Sequence, residues 1–353
     1  MAGDAAASSA CDRVIVLTGA TGGLGFELAR RLAGTGAHVV LACRSLARGE
    51  EASERLMRDA PGARTTALSL DIAEPASIRE FRSRLERAAG FVDVLINNAG
   101  IFGVPLSCNS AGHELHLATN YLGPFSLTGT LLPLFRDRPG ARIVNVGSLA
   151  HLSARSCLEG PRPKDGDYSA WRAYARSKLA LATFTMELDR RLRGRNLIAV
   201  CAHPGFAPTG IAKNHPIANP KTALGRWFTK RVESWIPTVA EAVEPILHAA
   251  RAEGVRGGEH YGPGGWLEIA GAPARARLNA RATDEGLGRQ LWSTTETLTG
   301  VRYLSTDAAS DSVPSGGPEP VRVQGATRGE LVARERPRAT SDEVTQSAHR
   351  PPS

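Results

Sequence analysis

The chain has 353 residues, 42% hydrophobic and 22% charged, with a formal net charge of +8. That balance suits a soluble globular protein of one large domain or two modest ones. No apolar run approaches the roughly 20 residues that span a bilayer. No zinc-finger or RNA-binding signature accompanies the basic excess, which reads as an arginine-rich solvated surface and does not argue for nucleic acid, so no nucleic-acid partner is expected. The five cysteines, Cys11, Cys43, Cys108, Cys157 and Cys201, are widely spaced and odd in number. They form neither a metal-ligand pattern nor a disulfide framework and read as reduced cytosolic thiols. The first twelve residues are Ala- and Ser-rich without a positive start, so neither a signal peptide nor a membrane anchor is expected.

Six nearly continuous apolar runs read as strands covered on both faces: 13–18, 37–43, 65–70, 92–97, 141–146 and 197–202. Between them, helices are expected at 24–34, 47–59, 75–89, 111–135 and 173–193. A further helix fits 238–254, a last strand 259–263 and a last helix 273–298. This alternation predicts α/β architecture: one doubly wound parallel sheet flanked by helices, of Rossmann type, over 12–303. Residues 304–353 are rich in Ser, Pro, Arg and Glu with few large apolar groups. Such a segment buries too little surface to offset its ordering entropy and is expected to be a disordered tail.

Directly after the first strand stands "TGATGGLG". Glycines there allow a tight turn, close approach of backbone to a pyrophosphate and close packing of the next helix. That helix offers free amides and a positive dipole end. The candidate nucleotide-binding turn therefore comprises Gly19, Thr21, Gly22, Gly23, Leu24 and Gly25. The second strand ends "LACRS", where an NAD site usually carries a carboxylate. Cys43 and Arg44 stand there instead, with Arg48 one helical turn on. A guanidinium pairs with a 2′-phosphate, so NADP(H) is preferred over NAD(H); a plain surface arginine is the competing reading.

In "WRAYARSKLALATF" (171–184), Tyr174 and Lys178 are four residues apart and share one helix face. A free phenol has a pKa near 10, and a nearby ammonium would lower it toward general acid–base use. On spacing alone the pair is commonplace. Upstream, "ARIVNV" runs into Gly147 and Ser148, at the carboxyl end of a strand where ligand groups gather. Ser148 can hold a substrate carbonyl there, or simply cap a turn.

Taken together, "TGATGGLG", "LD" (70–71), "NNAG" (97–100), Asn120 in "ATNYLGPFSLT", Ser148, "YARSK" (174–178) and "HPG" (203–205) make the chain resemble the short-chain dehydrogenase/reductase family over about residues 12–270. "LACRS", "LINNAG", "RIVNVGSLAH" and the long interval between Ser148 and Tyr174 resemble its retinol-dehydrogenase-like, NADP(H)-preferring branch. The resemblance implies that Tyr174 exchanges a proton with the substrate oxygen. It implies that Lys178 lowers the pKa of Tyr174 and bonds the nicotinamide ribose, and that Ser148 orients the carbonyl. Asn120 would maintain a water-linked relay to Lys178. Asp71 and the Ile72 backbone would meet the adenine, with Asn98, Ala99 and Gly100 along the cofactor. Pro204, Gly205 and Thr209 would border the nicotinamide and pyrophosphate.

Two departures stand out: Gly147 where most of the branch has serine, and Gly22 where a polar residue is usual. The substrate would be chosen by 151–173 and 206–237, the second carrying Trp227, Phe228 and Trp235, as a lid over a hydrophobic carbonyl or alcohol. Arg and Trp around 226–235 also allow peripheral contact with a membrane surface. Tyr168 is a second phenol without a lysine four residues later. The expectation is a cytoplasmic NADP(H)-dependent oxidoreductase interconverting a small-molecule carbonyl and alcohol, with a homo-oligomeric state compatible and no metal. The competing class is an NADP(H)-binding redox-sensing scaffold that recruits a partner and turns over little.

Overall fold

Strand order places the site. In the computed structural model, which describes residues 12–157, 167–206 and 237–303, eight strands form one sheet in the order β3-β2-β1-β4-β5-β6-β7-β8. They are β1 (Val14–Thr18), β2 (His38–Cys43), β3 (Arg64–Ser69), β4 (Val94–Asn97), β5 (Ala141–Val146), β6 (Leu197–Ala202), β7 (His260–Pro263) and β8 (Pro273–Arg275). β1 to β7 pair in parallel, and β8 runs antiparallel to β7. The order reverses between β1 and β4, which opens a crevice at their carboxyl ends. The described residues lie within one compact unit, Met1–Ser305.

The doubly wound sheet expected from the apolar runs is present, and β1 shows why those runs are continuous. Successive side chains point to opposite faces. Val14 and Val16 join a core with Val40, Leu95, Phe125 and Phe184. Ile15 and Leu17 join a second core with Leu28, Leu41 and Ile96. Both faces are covered, so neither parity of position is polar. Full burial of each such side chain contributes roughly 1.5–3 kcal/mol.

Helices α1 (Gly23–Ala33), α2 (Leu46–Asp59) and α3 (Pro75–Ala88) follow the first three strands. The expected helix at 111–135 is three pieces: α4 (Leu115–Leu117), a π-helical turn at Ala118–Leu122, and α5 (Gly123–Leu131), closed by a short 3₁₀ turn. The longest described helix, α6 (Ala170–Arg191), contains no Gly or Pro, and the Ser169 hydroxyl caps it by accepting from Arg172 N. The expected helix at 238–254 divides into α7 (Val239–Ala242) and α8 (Glu244–Arg251), with Pro245 in the first turn of α8. The expected helix at 273–298 is overturned in its first half. Pro273–Arg275 forms β8, and only α9 (Glu285–Thr299) is α-helical, capped by Asp284. The Ala- and Arg-rich segment favours helix locally, but pairing of Arg275 with Tyr261 and of Ala274 with Gly262 takes its start into the sheet.

Two buried polar sets pin this frame. Asp93, 1% exposed, accepts from Val14 N at 2.8 Å and from Arg136 and Arg138. Asn97 donates to Asn145 Oδ1 (2.8 Å) and Thr128 Oγ1 (3.2 Å), and Asn145 donates to Thr185 Oγ1 (2.9 Å). These bonds tie β4 and β5 to α5 and α6, and buried hydrogen bonds between elements favour one arrangement of them. No described helix is long and apolar enough to cross a membrane. Segments 158–166, 207–236 and 304–353 lie outside the described residues. They take with them Thr209, Trp227, Phe228, Trp235 and the expected tail.

Candidate active site

A crevice of about 770 Å³ opens at the carboxyl ends of the central strands. Its lining includes Gly19, Thr21, Gly22, Gly23, Leu24, Gly25, Arg44, Asp71, Ile72, Asn98, Ala99 and Gly100, and beyond them Ser148, Tyr174, Lys178, Pro204 and Gly205. Asn120 sits just behind: a Cβ built on Gly100 would lie 3.2 Å from Asn120 Oδ1 and 3.5 Å from Lys178 Nζ.

At one end is the turn between β1 and α1. Gly19 has φ +67°, and a Cβ there would stand 2.9 Å from Ala99 Cα. A Cβ on Gly25 would fall on the Gly19 carbonyl oxygen. A side chain at Gly19 would push the turn off the segment after β4, and one at Gly25 would push α1 off the turn. Gly22 and Gly23 differ: a Cβ on either meets nothing within 4 Å, so the backbone there faces open crevice. Asn98 locks the turn, donating through Nδ2 to Thr18 O at 2.9 Å. Thr18 Oγ1 in turn accepts from Asn98 N and Ala99 N, both at 2.9 Å. Thr18 was not singled out by sequence, because its partners lie about eighty residues on.

Past β2, Cys43 is buried while Arg44 and Arg48 are exposed, and both arginines border the crevice. The Ser45 hydroxyl caps α2 by accepting from Arg48 N. Asp71 Oδ1 accepts from Ala73 N at 3.0 Å, and Asp71 N donates to Ser77 Oγ. This turn holds the Ile72 backbone beside the crevice. Bare glycine backbone at a helix N-terminus and open space above it fit the diphosphate of a dinucleotide, and the exposed guanidinium groups beside it are suited to pair with anions.

Tyr174 and Lys178 rise from α6 on the same buried face, with Lys178 Nζ 5.9 Å from the Tyr174 ring centroid. Lys178 donates to Val146 O at 2.8 Å, at the end of β5. Burial pushes its pKa down to about 8. Burial also raises the Tyr174 phenol, and a hydrogen bond with Ser148 opposes that rise. The net displacement of Tyr174 is upward, the reverse of what an ammonium alone would produce, because burial is the largest influence. Ser148 both bonds Tyr174 and caps the following turn by accepting from Ala150 N at 3.2 Å. Asn120 occupies the π-helical turn, fully buried. Its Oδ1 accepts from Ile101 N (2.8 Å), and its Nδ2 donates to Ile101 O and to Ser177 Oγ (both 3.0 Å). Such turns inside helices gather at functional sites because they re-aim one side chain.

On the substrate side, Phe102 packs edge-on against Tyr174 (4.9 Å between centroids) and Trp171 (6.0 Å). Trp171 is 42% exposed at the mouth. Outside the crevice lining, Tyr168 donates to Glu114 Oε1 at 2.9 Å, and Glu114 also accepts from His116 N, Leu117 N and His116 Nδ1. No spacing rule flags this cluster, since Tyr168 and Glu114 are 54 residues apart.

With the geometry in place, the relatives agree. The family model for short chain dehydrogenases matches residues 13–219, and the chain belongs to that family. Human retinol dehydrogenase 11 is 33% identical over 294 residues, covering 82% of this chain and 86% of that protein. Human retinol dehydrogenase 13 is 32% identical over 296 residues, covering 83% and 86%. Among solved structures, an uncharacterized protein from Mycobacterium paratuberculosis superposes with a TM-score of 0.64 at 33% identity, over 83% of this chain and 95% of that one. A blue fluorescent protein from a metagenomic library, solved in complex with NADPH, gives 0.55 at 25% identity over 70% and 94%. The protein is therefore an oxidoreductase of the carbonyl/alcohol type using a nicotinamide cofactor, similar to retinol dehydrogenases.

Proposed function

We propose that the protein is a cytoplasmic NADP(H)-dependent reductase or dehydrogenase of hydrophobic carbonyls and alcohols, of retinoid, steroid or aldehyde type. The observation that carries this reading is one crevice bounded at one end by a glycine turn with Arg44 and Arg48, and at the other by Ser148, Tyr174 and Lys178. Bound there, the nicotinamide would supply or accept the hydride.

The residues of the chain do the rest. The turn from Gly19 to Gly25 would hold the diphosphate, and Arg44 would pair with the 2′-phosphate. Asp71 and Ile72 would flank the adenine, Asn98 to Gly100 the middle of the dinucleotide, and Pro204, Gly205 and Thr209 the nicotinamide end. Ser148 would orient the carbonyl oxygen by hydrogen bond. Tyr174, a phenol and so protonated at neutral pH, would donate its proton to that oxygen in reduction. Lys178 would bond the ribose and favour the phenolate once the proton has left. Asn120 would keep the path to Lys178 in register. Phe102 and Trp171 would exclude water and accept an apolar substrate face.

Following NADPH absorbance against retinoid, steroid, quinone and aldehyde panels tests this, with NADH run in parallel. Turnover with NADPH well above NADH is expected, and Arg44→Ala should cut that preference by on the order of ten- to a hundredfold. Tight NADPH binding with no turnover on any substrate would defeat the enzyme reading in favour of a sensor. Cell fractionation checks the compartment: recovery in the membrane pellet would exclude the cytoplasm.

A further inference from the structure

The turn between β7 and β8 contains the only two described non-glycine residues with positive φ, Leu267 (φ 51°) and Glu268 (φ 59°). Two left-handed residues in succession are costly for ordinary side chains and persist only where surrounding contacts fix them. Here the Glu268 carboxylate meets His203, the residue directly after β6. Glu268 Oε2 lies 3.2 Å from His203 Nε2, and Oε1 accepts from Arg277 N (2.9 Å) and Arg277 Nε (3.0 Å). One residue further, Ile269 O accepts from Phe206 N at 3.2 Å.

His203 is fully buried, and its other nitrogen, Nδ1, accepts from Gly205 N at 3.1 Å. An amide can only donate, so Nδ1 carries no proton and the ring proton sits on Nε2, facing Glu268. The carboxylate thereby selects the tautomer that holds the Gly205 amide. Without it, the neutral ring can shift its proton to Nδ1, which sets one N–H against another and releases the turn. The fit is close: a Cβ on Gly262 would fall on the His203 ring, and a Cβ on Gly205 would fall on the Ile269 carbonyl oxygen. Burial works to raise the Glu268 pKa, but the bonds from His203 and Arg277 hold it down at about 2, so the acceptor stays charged.

We propose that Glu268 is a positioning residue for the cofactor: acting through His203, it holds the Pro204–Gly205 turn in the shape that receives the nicotinamide end of NADP(H). This rests on the nucleotide reading of the crevice. The arrangement joins residues 65 positions apart, neither of which lines the crevice itself.

Titrating the full chain with NADPH by fluorescence tests it. Glu268→Ala should raise the NADPH Kd by about tenfold, the loss of one well-made hydrogen bond, while kcat at saturating NADPH changes by less than about twofold. In a His203→Asn background the amide oxygen accepts from Gly205 N without any tautomer choice, so adding Glu268→Ala should leave that background's Kd unchanged. In wild-type protein, the ring ¹⁵N–¹H spectrum of His203 should show the Nε2–H tautomer. Failure of the wild type to bind NADPH would remove the nucleotide reading itself. Wild-type binding with an unaltered Kd in Glu268→Ala, an equal loss in both backgrounds, or an Nδ1–H ring would each overturn the role of Glu268. The spectrum decides even if Glu268→Ala fails to fold.

Discussion

Two phenols stand within six residues of each other, on and just before α6, and their surroundings are opposites. Tyr174 is buried beside a hydroxyl and an ammonium, Ser148 and Lys178. Tyr168 is half-buried and donates to a carboxylate, Glu114. Burial raises both pKa values, but at Tyr168 the hydrogen bond and the charge of Glu114 push further in the same direction. At Tyr174 the polar neighbour pulls back. A phenolate next to a carboxylate is repelled; a phenolate next to an ammonium is held. At Tyr168 a charged acceptor reinforces the rise, whereas at Tyr174 a neutral hydroxyl opposes it; under the proposed function, that difference suits Tyr168 to a structural bond and Tyr174 to proton exchange.

The largest expected effect breaks the first side of that contrast. Tyr174→Phe removes the proton while keeping the ring packed against Phe102, so kcat for carbonyl reduction should fall by roughly 10²–10⁴, the range for loss of a general acid. NADPH binding should be kept. Turnover near the wild-type rate would show that the proton comes from elsewhere, with Tyr168 the nearest alternative.

Lys178→Met comes next, and it separates stability from catalysis. The folded-state pKa of Lys178 lies at about 8, below its ordinary 10.5. Between those values the unfolded chain binds more protons than the folded one, so the folded state gains stability as pH rises through that window and bears the cost of the buried charge below it. Lys178→Met should therefore stabilise the protein at pH 7 by up to about 3 kcal/mol, less the lost bond to Val146 O, while activity falls about a hundredfold. In the wild type, reduction should slow as pH rises through about 8. Thermal melts and a pH–rate profile check both; a destabilised Lys178→Met protein would contradict the electrostatic cost.

Much of the Tyr174 region was legible in sequence for a physical reason. Helical spacing is local, so Tyr174 and Lys178 share a face wherever α6 packs. The glycine turn is likewise local, being a strand, a bend and a helix in the twenty residues from Val14 to Ala33. The Tyr168 region was not legible, because Glu114 and His116 reach it across the chain through tertiary packing. The same reason explains the misread segment 273–298. Its composition favours helix, yet Pro273–Arg275 pairs with β7, and no local pattern records a strand's partner. Asn120 was placed correctly in a helix, but the π-helical turn that aims it has no sequence period of its own.

Glu114→Ala acts on the second side of the contrast. It removes the acceptor for His116 N, Leu117 N, His116 Nδ1 and the Tyr168 hydroxyl. The expected loss is about 2 kcal/mol of stability, as for a good helix cap with further bonds. Burial tends to raise the Glu114 pKa, but its bonds from His116, Leu117 and Tyr168 win and hold it below 4.5. A depressed carboxylate stabilises the fold above its unfolded pKa, and that contribution fades as pH falls through the folded value. Denaturant melts between pH 7 and 3 should show wild type and Glu114→Ala converging at the acid end; a constant gap would mean the carboxylate charge is not what counts.

The smallest effect is the sharpest test of the contrast. Tyr168→Phe deletes one hydroxyl whose best acceptor, Glu114, keeps its bonds to two backbone amides and the His116 ring. The carboxylate stays satisfied, so stability should drop by only about 1 kcal/mol, the net worth of one hydrogen bond. Because Tyr168 does not line the crevice, whereas Phe102, Trp171 and Tyr174 do, kcat should stay within about threefold of wild type, a difference under roughly 0.7 kcal/mol in the barrier. Steady-state kinetics and a urea melt on the same preparation measure both. A loss of kcat comparable to that of Tyr174→Phe would mean that proton exchange is shared across both phenols, and that a carboxylate neighbour does not silence one.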